Sequence, residues 1–171
     1  MLQLGALAVA LLVVPFPSFE LDSYSVPKEL VLHVTAALAG GLALFAARSF
    51  RPTWVDALLV AFLGLGVVSA LLATNGWLAG RALAVSASGA VLFWSARGLR
   101  VAELSRPLLA ALALLVVLAA LAAVAEAYGL RLALFAEDRV PGGTLGNRNS
   151  VGHLAAMGLP VAVLAALRAR K

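Results

Sequence analysis

The chain has 171 residues; 63% of them are Ala, Val, Ile, Leu, Met, Phe, Trp, Tyr or Cys, and only 12% are charged. A soluble domain of this size must cover a wet surface, and a charged share roughly half of the usual 25% cannot do so. Disorder is excluded too, because it needs low hydrophobicity and high charge.

The absence of cysteine excludes disulfides, thiolate metal sites and cysteine nucleophiles. Two histidines and eight scattered carboxylates give no metal-ligand pattern, so neither a metal nor a cofactor is expected. In a soluble domain a net charge of +5 and a pI of about 10.8 would point to nucleic acid. Here the basic residues lie at the edges of apolar runs, where membrane topology needs them. The expected partner is a lipid bilayer, not nucleic acid.

Taken in chain order, the first apolar run, 1–19, carries no charged side chain, and a helix is expected over 1–16. It lacks the basic n-region and the A-x-A site of a cleaved signal peptide. Leu30 to Ala47 is interrupted only by His33 and predicts a second helix over 28–47. The next 40 residues, Ala57 to Ala96, contain one charge, Arg81. A crossing takes about 20 residues, so this block predicts two helices, 54–73 and 77–96, with Thr74-Asn75-Gly76-Trp77 as the turn between them. The uncharged run from Pro107 to Ala125 predicts a fifth helix over 107–126, and Val151 to Leu167 a sixth over 150–168. Barrel strands would alternate apolar and polar residues. Continuous runs in lipid must satisfy their own backbone, so they are helices. The expected fold is all-α: a single polytopic transmembrane bundle of about six helices.

With the N-terminus in the cytoplasm and alternating crossings, eight basic residues fall inside: Arg48, Arg51, Arg97, Arg100, Arg106, Arg168, Arg170 and Lys171. Five fall outside: Lys28, Arg81, Arg131, Arg139 and Arg148. This asymmetry predicts both termini inside. Trp54, Trp77 and Trp94 fall near helix ends, as interfacial anchors do. Ala36/Gly40, Ala39/Ala43 and Gly76/Gly80, each four apart, are expected to let helix backbones approach, with Ser86 and Ser88 bonding across helices. His33 lies one turn after Glu29, so the two share a face and suit an interfacial pair.

Chemistry concentrates in the outer stretch 126–153. Gly142, Gly143 and Gly146 permit backbone conformations closed to other residues. Asn147, Asn149 and Ser150 are N-cap types at the start of the sixth helix. Free N–H groups and the dipole at a helix start favour an anion, and Arg139 and Arg148 flank that place with bidentate phosphate donors. Two readings follow: a phosphate or pyrophosphate cradle, or a capped helix beside a flexible loop with solvated arginines. The segment is neither a Walker A loop nor a G-x-G-x-x-G fingerprint.

The segment Arg139-Val140-Pro141-Gly142-Gly143-Thr144-Leu145-Gly146-Asn147-Arg148-Asn149, followed by an apolar helix, resembles the signature of the O-antigen ligase and polymerase superfamily. Members read Arg, a short gap, Gly-Thr, an apolar residue, Gly-Asn-x-Asn and a membrane helix; Arg148 stands where the family usually has Pro. Asp22 followed by Pro27-Lys28 at the start of the second helix is similar too, and Glu126 sits where many members carry Gln. The resemblance implies an inner-membrane glycosyltransferase that moves a glycan from undecaprenyl pyrophosphate on the periplasmic side. It implies that Arg139 and Arg148, with Arg81 as a further candidate, hold the pyrophosphate. Gly143, Thr144, Gly146, Asn147 and Asn149 then form the motif and helix cap.

Family members carry further helices and a large periplasmic loop with the catalytic His, so the resemblance covers their N-terminal portion and assigns no catalytic residue here. His153, inside the sixth helix, reads as a helix-packed polar residue and not as that base, because no orienting carboxylate accompanies it. Two other functions stay open. One is small-anion transport. The other is a non-catalytic truncated or split subunit, paired with a second chain that supplies the missing helices.

Overall fold

The computed structural model describes residues 1–13, 24–46, 52–101, 105–130 and 140–169. Among them there is no strand. The helices are α1 (Leu2–Leu11), α2 (Ser25–Ala46), α3 (Trp54–Leu71), α4 (Gly76–Val101), α5 (Ser105–Ala127) and α6 (Arg148–Ala169), with a 3-10 turn, Gly143–Leu145, just before α6. Helices α2 to α6 are each long and apolar enough to cross a membrane. This is a multi-pass membrane protein.

The expected first crossing is different. Helix α1 ends at Leu11, where the next residue turns extended (ψ 116°), so it has 10 residues, not 16. At 1.5 Å per residue it is about 15 Å long, half of the roughly 30 Å hydrocarbon core. Five described helices can cross, against about six expected. The remaining ends agree with the sequence reading to within three residues, except that α4 runs on to Val101 and takes in Arg97, where the sequence reading ended it at 96.

Burial is inverted relative to a water-soluble domain. Phe45 is 94% exposed and Leu44 81%, whereas the buried positions include Ala36, Ala39, Ala90, Ala119 and Ala123. Lipid solvates leucine as well as another leucine does, so association relies on close backbone approach through small side chains.

The chain divides into two compact units, Met1–Val31 with Glu103–Lys171, and Leu32–Ala102. In the first unit, α5 is central: α1, α6 and the 3-10 turn all pack on it. Gly158 of α6 lies directly against Val116 of α5. In the second unit, α3 and α4 form a hairpin. Its turn is closed by Asn75, whose Oδ1 accepts the Leu78 N–H at 3.1 Å and caps α4.

The expected small-residue contacts divide by helix. Ala36 and Ala39 are buried, and a Cβ on Gly40 would meet Val91 of α4 at 2.6 Å. A Cβ on Gly76 or Gly80 would have nothing within 4 Å, so neither makes a close approach among the described residues. Ser88 accepts or donates a 2.8 Å hydrogen bond with His33 Nδ1 across α2 and α4. Ser86 instead bonds back to the Ala82 carbonyl of its own helix.

Candidate functional site

The glycine-rich stretch folds into a tight turn whose shape requires its glycines. The Leu145 N–H bonds the Gly142 carbonyl at 3.0 Å, and the Gly146 N–H bonds the Gly143 carbonyl at 3.3 Å. Gly143 (φ +48°) and Gly146 (φ +66°) take left-handed backbone, which a side chain disfavours by about 1–2 kcal/mol. A Cβ on Gly143 would stand 2.9 Å from the Ala123 nitrogen, so the turn rests on bare α5 backbone. A Cβ on Gly146 would strike the Tyr24 ring at 2.6 Å.

Two polar side chains hold the turn. Glu126, 6% exposed near the end of α5, accepts the Gly143 N–H at 2.6 Å. A glutamine carbonyl at this position could accept the same bond. Lys28, near the start of α2, donates to the Thr144 carbonyl and to the Leu12 carbonyl, both at 2.7 Å. Leu12 immediately follows α1, where the last helical carbonyls lack intrahelical partners. The ammonium also lies 5.7 Å from the centre of the Tyr24 ring. Among the described residues no carboxylate pairs with it. The Thr144 hydroxyl oxygen is fully buried without a hydrogen-bond partner there.

Helix α6 then starts as its N-cap types suggest. Asn147 Oδ1 accepts the Asn149 N–H at 2.9 Å, so Asn147 is the cap. Asn149 therefore contributes its backbone, and its side chain is exposed. The cap uses one of the free N–H groups that the sequence offered to an anion. Arg148 is the first residue of α6 and is exposed.

The structure therefore gathers Gly143, Thr144, Gly146, Asn147, Arg148 and Asn149 into one site, and adds Lys28, Glu126 and Tyr24. Arg139 lies outside the described residues. Arg81, the sixth residue of α4, is half-buried, belongs to the other compact unit and is engaged in contacts of its own. His153 is exposed, which corrects the expectation of a packed residue. His33 pairs with Ser88.

The second unit holds a different polar cluster. Asp56, 5% exposed in the first turn of α3, accepts from the Thr53 N–H at 2.6 Å, the Thr53 hydroxyl at 2.7 Å and Trp94 Nε1 at 2.8 Å, and forms an ion pair with Arg97. The sequence carries its signal, since Thr53-x-x-Asp56 before an apolar run is a capping-box pattern. Trp94 is bound to a carboxylate and, because α4 runs on to Val101, lies about two turns inside its helix and not near the end as expected, whereas Trp54 and Trp77 stand at helix starts and are 84% and 79% exposed. No described group of His, Asp and Glu could hold a metal.

No family model, curated protein or solved structure matches the chain. Fold and site together define a multi-pass helical membrane protein with a hydrogen-bonded glycine-rich turn at one helix start.

Proposed function

We propose that this chain belongs to an O-antigen ligase-like membrane glycosyltransferase, and that it handles an undecaprenyl pyrophosphate-linked glycan on the periplasmic side of the bacterial inner membrane. The turn Gly143–Asn147 and the start of α6 form the seat of the pyrophosphate, with Arg148 and Arg139 as its guanidinium donors. One observation carries this reading. The segment that bears the resemblance is a compact turn, fixed on α5 by Glu126 and on α2 by Lys28, beside an exposed arginine. Such a seat is preorganised, and binding would not have to order it first.

Alternating crossings bring the start of α2, the end of α5 and the start of α6 to one side, which the basic-residue asymmetry makes the outer side. A reporter inserted near Ala136 is expected to be active only in the periplasm, and one fused after Lys171 only in the cytoplasm. The reverse pattern would overturn the orientation.

The function is tested by titrating the detergent-solubilised chain with a short-chain prenyl pyrophosphate, the matching prenyl alcohol and inorganic phosphate. Saturable binding of the pyrophosphate, with the alcohol much weaker, is the expected result. Equal binding of pyrophosphate and alcohol removes the anion seat. Preference for the free inorganic anion favours a small-anion transporter instead.

A further inference from the structure

Lys28 is the cation of this site that carries no assignment, and its geometry is specific. Its Nζ joins three separate pieces of the chain: the carbonyl after α1, the start of α2 and the carbonyl of Thr144 within the turn. Both acceptors are neutral carbonyls, so the bonds are charge-assisted from the donor side. Tyr24, one helical turn earlier, rests its ring where a Cβ on Gly146 would be. The two residues are four apart, so they project from one side of the chain at the start of α2. The beginning of α2 therefore grips both ends of the short turn, Thr144 through Lys28 and Gly146 through Tyr24.

We propose that Lys28 is a positioning residue. It sets the Gly143–Gly146 turn at the start of α6 by binding the Thr144 carbonyl, and it ties that turn to the end of α1 through the Leu12 carbonyl. The inference rests on the reading that the turn seats a pyrophosphate only for its functional consequence; the clamp itself is a statement about this fold. Lysine suits the task. An ammonium offers three N–H groups on a flexible stem, and two carbonyls converge on it. Methionine has a similar stem and no donor, so it removes both bonds while keeping most of the packing. Arginine keeps the charge and several donors, so it can still bridge two carbonyls.

The test measures amide hydrogen exchange of the intact chain in lipid nanodiscs without any ligand, together with prenyl pyrophosphate affinity. In Lys28→Met, exchange at Gly143 to Gly146 is expected to rise about tenfold or more, while α3 and α4 keep their protection. Affinity for the pyrophosphate is expected to fall by a similar factor, and Lys28→Arg is expected to restore most of both. If Lys28→Met is not recovered folded, Lys28→Gln, which keeps a shorter donor, is expected to show an intermediate rise at the same amides. Unchanged exchange in the turn overturns the proposal, including the case in which affinity alone falls, because Lys28 would then touch the ligand directly. A local rise in exchange in a chain that never binds the pyrophosphate upholds the clamp and rejects the functional reading.

Discussion

Asp56 and Glu126 are buried to nearly the same degree, 5% and 6% exposed, near the ends of membrane helices, yet their surroundings differ in kind. Asp56 is met by two donors from Thr53, the Trp94 indole and the Arg97 guanidinium. Its charge is balanced and its lone pairs are taken, and the result is a fastener between α3 and α4. Glu126 accepts a backbone N–H of a glycine turn, and the cation on that turn, Lys28, is held by neutral carbonyls. The first arrangement pairs its charge directly with a guanidinium; the second holds a carboxylate and an ammonium on one turn, each through backbone groups. A polar cluster whose members bond one another fastens two helices, whereas two charged side chains that bond only backbone fix the shape of a turn.

The largest effect expected from breaking this contrast is on stability. Asp56→Ala removes the ion-pair carboxylate of Arg97, a guanidinium that is one-third exposed, and takes the Trp94 N–H's acceptor away. A loss of about 3 kcal/mol is expected, at the lower end for breaking a buried pair. It should appear as a lower unfolding midpoint in detergent, with pyrophosphate affinity nearly unchanged. A collapse of affinity in this variant would mean that the cluster serves the site after all.

Glu126 gives the next test. Replacing it with Leu leaves the buried Gly143 N–H unsatisfied, which costs about 1–3 kcal/mol. Replacing it with Gln keeps an acceptor at the same reach. Amide exchange at Gly143 should therefore rise in Glu126→Leu and stay low in Glu126→Gln. An equal rise in the two variants would show that the carboxylate charge, and not the acceptor, holds the turn, and no rise in either would show that Glu126 does not hold it.

The smallest effect is expected at Gly80. Nothing lies within 4 Å of a Cβ there. Gly80→Ala is expected to change stability by less than about 1 kcal/mol, in the stabilising direction, through helix propensity alone. Marked destabilisation would reveal a packing partner at Gly80.

The sequence made the crossings legible because lipid imposes a single pattern, the long uncharged run, and charges punctuate it. Helices α2 to α6 follow from that pattern alone. It fails at α1, where an equally apolar run stops being helical after Leu11, because hydropathy measures solvent preference and not where a helix ends. At the site, the glycines and the Asn147 cap were readable, since positive φ and capping are local requirements. Lys28 and Glu126 were not readable as clamps. Their partners, Thr144 and Gly143, lie 116 and 17 residues away, and both bonds go to backbone, which leaves no trace in residue type. The small-residue spacing pointed correctly to Gly40 and wrongly to Gly76 and Gly80, because spacing shows that an approach is possible and not that a neighbour makes it.

The central claim is that the start of α6 receives a pyrophosphate. It is tested most directly by comparing Arg148→Ala and Arg139→Ala with Arg131→Ala in prenyl pyrophosphate binding. A charge-assisted contact contributes about 1.5–3 kcal/mol, so losing one is expected to weaken binding roughly ten- to a hundredfold. Arg148→Lys is expected to recover only part, since it keeps the charge and loses the planar fork. Arg131, close to the motif in sequence but outside it, should change affinity little. Equally small effects of all three alanine variants would contradict the account and leave a capped helix beside solvated arginines.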